Sequence, residues 1–216
     1  MKEEEQVKFY PAKEERLNVI SHGAGLILSL VGFVLLILQA LKYEHLKLTL
    51  SFIIFGLGLV LLYSASTFYH KSKDMRLRYR LKIFDHIAIF VLIAATYTPF
   101  ALVTLEGTVG WIIFAVAWGI ALAGTVLKIF FTGRYKTLST IMYVGMGWII
   151  IFAIKPLLEN FSTEGLLWLL GGGVAYTIGA ILYSISKINY NHAWFHIFVL
   201  LGSLCHFIAI YLYVKP

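Results

Sequence analysis

The chain has 216 residues, is 60% hydrophobic and only 13% charged, and its mean hydropathy is +0.83. A water-soluble domain of this size needs far more polar surface, so the composition reads as a multi-pass cell membrane protein of one domain. The net charge of +7 is spread between apolar runs, which excludes a nucleic-acid surface and leaves the basic residues to report topology.

The first sixteen residues mix Lys and Glu. The apolar run behind them is too long for a signal-peptide core and lacks a small-x-small cleavage site, so no secretory signal is expected. Seven runs are long and apolar enough to span a bilayer, at residues 18–41, 48–70, 84–104, 109–131, 138–155, 165–186 and 193–214. The fifth is the shortest. The prediction is an all-α bundle of seven transmembrane helices, with residues 1–17 as a polar N-terminal segment and 18–216 as the membrane domain. Brief connections make neighbouring helices antiparallel. Gly56, Gly58, Gly145, Gly147 and the run Gly171, Gly172, Gly173 are places where helix backbones can approach closely. Pro99 is expected to kink the third helix. Few other helix breaks are expected. Cys205 is the single cysteine, so no intrachain disulfide forms.

Orientation follows from counting Lys and Arg. Lys2, Lys8, Lys13 and Arg16 precede the first run. Lys71, Lys73, Arg76, Arg78, Arg80 and Lys82 lie between the second and third. Lys128, Arg134 and Lys136 lie around the fourth and fifth, and Lys187 before the seventh. These fourteen fall on one side, against Lys42, Lys47, Lys155 and Lys215 on the other. The bias places the N-terminus in the cytoplasm and the C-terminus outside. The basic second connection also suits anionic lipid headgroups.

With that topology, His70, Asp85, His192 and His196 share one depth near the cytoplasmic side. Ionisable groups at such a depth are costly, usually face the bundle interior and mark a function. His192 and His196 are four apart, one turn apart on one helix face, and can ligate one metal ion. His70, closing the second run, is the best-placed third ligand. Ser66, one turn from His70, can orient it or a bound water. Asp85 is the one acid inside the predicted helices, and a carboxylate beside a zinc-bound water can steady it or take its proton. Each has a simpler reading. His70 can be an interfacial polar residue, the His192/His196 pair can arise by chance, and Asp85 can pair with Lys82 or an arginine. His86 points about 100° away from Asp85 and reads as packing. His22, in Ser21-His22-Gly23, suits a cavity-lining position or a structural polar contact. His206 lies about 15 Å beyond His196, too far for the same metal, and reads as a buried hydrogen-bonded histidine. His45 receives no assignment.

The set Ser66-x-x-x-His70, Phe84-Asp85-His86 and His192-x-x-x-His196 resembles the signature of the hemolysin III family, which groups with the progestin and adipoQ receptors and is similar to the alkaline ceramidases. Ser21-His22-Gly23 and Thr96-Tyr97-Thr98-Pro99 fit its bacterial branch. The resemblance covers nearly the whole chain. It implies seven helices with the N-terminus inside, a zinc ion held by His70, His192 and His196, Asp85 at the metal-bound water and Ser66 beside it. It also implies action in membrane homeostasis.

Three functions compete. One is zinc-dependent hydrolysis of a lipid amide or ester entering from the cytoplasmic leaflet, with Asp85 as general base and Ser66 stabilising the oxyanion. Another is a non-enzymatic membrane-state sensor in which zinc pins the second and seventh helices, with Asp85 as a fourth ligand. The third, a pore or transporter, ranks last for want of discontinuous helices. The expected partners are membrane lipids.

Overall fold

The computed structural model describes residues 7–132 and 134–216, with the side chain of Lys136 left out. Lys2, part of the basic count, lies outside the described residues. Seven helical stretches are long and apolar enough to cross a membrane: Ala12–Ala40, Leu46–Lys71, Met75–Thr104, Gly107–Phe131, Thr137–Asn160, Thr163–Ser184 and Asn191–Tyr213. No strand occurs among the described residues. The α-helices are α1 (Ala12–Ala40), α2 (Leu46–Lys71), α3 (Met75–Pro99), α4 (Gly107–Phe131), α5 (Lys136–Gly147), α6 (Ile154–Asn160), α7 (Thr163–Ser184) and α8 (Asn191–Ile208). α1 packs on both α2 and α8, the remaining neighbours follow in chain order, and α5 touches α3, α4 and α7. The ring of spans is thereby closed. Large apolar side chains such as Leu46, Leu122, Phe130 and Phe152 face outward, while Asn18, His22, Ser66, His70, Asp85, His192 and His196 are buried. That inside-out polarity is what a lipid surround selects, because polar groups must find partners within the bundle.

Two helices start well before the apolar runs, while the other spans begin within two residues of them. α1 begins at Ala12, not residue 18, and α3 at Met75, not 84. The helix signal in these turns comes from charged residues and caps, not from hydropathy. The Asp74 side chain accepts from Leu77 N at 2.8 Å and starts α3. Glu14, Glu15, Arg78 and Lys82 are therefore helical, and Asp85 is not the one helical acid.

The fifth span is discontinuous, which the sequence reading does not foresee. α5 stops at Gly147, a 3₁₀ stretch covers Ile149–Ala153, and α6 follows. Pro156 lies in the first turn of α6, where its missing N–H is tolerated, and it cannot donate to the carbonyl four residues back, so α6 starts afresh instead of continuing the turn before it. Tyr97 of α3 compensates: its hydroxyl donates to Gly147 O at 2.8 Å and accepts from Ile150 N at 3.1 Å. At Pro99 the third span turns from α to π, and Leu105 N donates to Phe100 O at 2.8 Å. The Pro99 irregularity thus takes the form of a π-turn.

The expected close approaches divide. A Cβ on Gly172 would sit 2.1 Å from His206 Cδ2, and one on Gly58 2.8 Å from Ala95 Cβ, whereas Gly145 and Gly147 face open space. The first pair lets α7 meet α8 and α2 meet α3 with backbones close together.

Arg78 fastens the end of the bundle nearest the histidines. Its Nη1 donates to Tyr69 O, His70 O and Ser72 O at 3.0, 3.3 and 2.9 Å, supplying partners for carbonyls that the last turn of α2 leaves open. Nε and Nη2 donate to Lys8 O at 3.2 and 3.1 Å, and Nη2 also donates to Glu15 Oε1. The guanidinium lies over the Phe9 and Tyr69 rings at 4.3 and 4.6 Å. Because it is buried and saturated, Arg78→Ala is expected to cost about 3 kcal/mol or more in detergent unfolding. Lysine should restore little, lacking the planar fork. Gly145→Ala should change nothing measurable. Equal melting of all three proteins would contradict this account.

Candidate metal centre

His70 ends α2, and His192 and His196 occupy the first two turns of α8. Their side chains meet. His192 Nε2 lies 3.0 Å from His70 Nε2 and 3.1 Å from His196 Nε2, and all three residues are buried. These three have ring nitrogens within 4.8 Å of one another, close enough to hold a metal ion. A tetrahedral ion with bonds of about 2.05 Å needs roughly 3.3 Å between ligand nitrogens, near the spacings found.

The far side of the rings decides which nitrogen is free. His70 Nδ1 lies 2.7 Å from Glu15 Oε2. A carboxylate there holds the proton on Nδ1 and leaves the Nε2 lone pair directed at the other two rings, the usual arrangement behind a metal-ligating imidazole. Asn18 Nδ2 approaches the same Nδ1 at 3.4 Å, and Ser21 Oγ lies 3.4 Å from His196 Nδ1. Glu14 Oε1 accepts from His192 N at 3.2 Å, anchoring the start of α8. The donor set and its orientation fit a metal ion. Glu14, Glu15 and Asn18, all on α1, have no role in the sequence expectations, and Ser21 enters them only within Ser21-His22-Gly23. Nor does Tyr10, whose ring stacks on His192 with centroids 4.5 Å apart and planes 19° apart, have a role there. Burial pushes the Tyr10 phenol well above its usual value, so it stays neutral and covers the histidines as a flat apolar lid.

Below the cluster lies a cavity of about 360 Å³. Its polar end carries His22, Ser66, Asp85, His192 and His196, and its remaining wall is largely aliphatic and aromatic, including Leu92, Phe100, Leu157 and Val199. Asp85 faces His70 and Ser66. Ser66 Oγ is buried and has no close hydrogen-bond partner among the described residues, so it does not orient His70. That task falls to Glu15. His22 lines the cavity and stacks on His196 at 3.5 Å between centroids, 9° from parallel. His86 lines the cavity as well. His206 sits outside the cluster, its Nε2 3.1 Å from Leu169 O. It is the buried, hydrogen-bonded histidine that its distance along the helix predicts. His45 caps α2 through Leu48 N.

A family model described as haemolysin-III related matches residues 10–207. The chain belongs to that family. Over 204 residues it is 44% identical to hemolysin-3 of Bacillus cereus, covering 94% of this chain and 93% of the relative. A hemolysin-3 homolog of Bacillus subtilis (strain 168) is also 44% identical over 204 residues, with 94% and 96% covered. The human monocyte to macrophage differentiation factor is 28% identical over 215 residues, with 94% and 86% covered. The family and the seven apolar helices make this a multi-pass membrane protein.

Elemental analysis of detergent-purified protein is expected to find about one divalent metal ion per chain, lost in His192→Ala. Equal metal in both proteins would remove the centre. Glu15→Gln should weaken the metal by about 10–100-fold, the usual effect of losing the group behind a ligand. Unchanged affinity would show that Glu15 serves Arg78 alone.

Proposed function

We propose that this haemolysin-III family protein binds zinc through His70, His192 and His196 and acts in membrane lipid homeostasis by hydrolysing a lipid amide or ester. One observation carries the reading: three imidazole nitrogens converge at the polar end of an apolar cavity that also presents Asp85 and Ser66. Held by His70, His192 and His196, a zinc ion would supply Lewis acidity and would lower the pKa of water toward neutrality.

The chain's own groups do the rest. An acyl chain lies along the aliphatic wall, with its carbonyl at the polar end. Asp85 accepts the proton of the water that attacks the carbonyl carbon, then returns it to the departing nitrogen or oxygen. The Ser66 hydroxyl donates to the oxygen that gains negative charge. The products are a carboxylic acid and an amine or alcohol. The bias of basic residues, which persists at eleven to four with the buried Arg78, Lys82 and Lys128 set aside, supports a cytoplasmic N-terminus and entry from that leaflet.

A second reading is a sensor with structural zinc. The Tyr10 lid and the Glu15 link, which close the centre on its outer side, favour it. Asp85→Asn separates the two. Hydrolysis predicts full zinc content, an unchanged melting temperature and at least about a hundredfold loss of lipid turnover, followed by lipid mass spectrometry on reconstituted protein. A mutant with lower zinc content and lower stability would instead make Asp85 a ligand of a closed site. One retaining zinc and full turnover would take Asp85 out of the reaction.

Orientation has its own check. Reporters inserted at Lys73 and fused after Pro216 should label opposite compartments, the first cytoplasmic. Two signals from one compartment would overturn the topology.

A further inference from the structure

Counted with the basic residues that report topology, Lys128 turns out to be inside the bundle. It is 3% exposed and lines the same cavity as Asp85 and Ser66. The pattern of α4 places it there: Gly110, Ile113, Ala117, Ala121, Gly124 and Lys128 are its buried residues, three or four apart. Its Nζ donates to Ser139 Oγ at 2.5 Å, while that hydroxyl donates to Tyr135 O at 2.7 Å. The Tyr143 ring lies 5.8 Å from the ammonium. Among the described residues no carboxylate lies within 4.0 Å of it. Asp85, the one acid on the cavity wall among the described residues, interacts with His70 and Ser66. Lys82 of α3 is buried as well.

A buried ammonium held by one neutral hydroxyl and a distant ring face, with no counter-charge, is poorly compensated, and a cationic spot in a largely apolar wall selects an anion. We propose that Lys128, with Ser139 as its fixed support, is an anion subsite that holds the acidic headgroup of a long-chain amphiphile, its tail lying along the aliphatic wall toward Phe100. The ligand class is a carboxylate or phosphate monoester on a single acyl chain. This rests on the proposed lipid-handling function but not on the metal: the acid released by hydrolysis belongs to the class, and so does an anionic lipid that is bound without reaction.

Trp148 lines the cavity, so brominated lipid entering it should quench tryptophan fluorescence. The probes are 9,10-dibromostearate and its methyl ester, titrated into purified protein in one detergent, with Trp148→Phe identifying the reporter. Lys128→Gln is expected to weaken the acid by about tenfold or more, as loss of a charge-assisted hydrogen bond does, and to leave the ester unchanged. Lys128→Arg should retain the acid. Unchanged acid affinity in Lys128→Gln, or equal loss of acid and ester, would overturn the subsite.

The wild type decides the matter should that variant not fold. Dodecyl phosphate or laurate should displace the bound acid where dodecyltrimethylammonium does not, and equal displacement by all three also overturns it. The better of the two anions identifies the headgroup. His192→Ala separates this proposal from the metal reading. Acid binding that survives there places the anion on Lys128, whereas acid binding lost there places it at the histidines and refutes the subsite. Absence of metal from a wild type that still prefers the acid would refute the metal reading alone.

Discussion

A carboxylate at the rim of a bilayer has to be compensated on the spot, and Glu15 is compensated on both oxygens. Oε2 meets His70 and Oε1 meets Arg78, while Tyr10 N also donates to Oε1 at 3.0 Å. The same side chain therefore sets the tautomer of a candidate ligand, holds the cation that caps α2, and fixes the segment before α1. Removing any one partner leaves charge uncompensated in a place where water cannot easily replace it. The orientation of the imidazoles, the seating of Tyr10 and the join between α2 and α3 all depend on this one group.

Much of this architecture is legible in the sequence because lipid imposes a simple rule on composition. Seven apolar runs become seven spans, and histidines separated by more than a hundred residues meet because short connections leave few ways to arrange the ring. What escapes is written in polar residues at helix ends. The buried face of α1 reads Glu14, Asn18, His22, Gly25, Ser29 and Gly32, polar or small groups at helical spacing in an apolar helix. Starting that helix at residue 18 cuts the stripe at its most informative point. Lys128 is lost differently. A count of basic residues treats every lysine as a surface charge, whereas its place on the small-residue face of α4 marks it as internal.

The break in the fifth span is harder to read. Pro156 announces an irregularity, but Tyr97, which satisfies the opened backbone, lies on another helix more than fifty residues earlier. Gly145 and Gly147 look like packing sites and are not. Such compensations arise between helices, and a single run of sequence carries no sign of them.

The meeting of α1 with α8 has a consequence for how the protein is made. Glu15, Asn18 and Ser21 enter the membrane with the first of the seven spans, and His192 and His196 enter only after five further spans. The histidine cluster cannot exist in any partly inserted chain. Until α8 arrives, α1 and α2 hold an acid, an amide and an imidazole with nothing to complete them. Closure of the ring and completion of the centre are one event. Whatever occupies that centre would seal the finished bundle and reward no intermediate on the way.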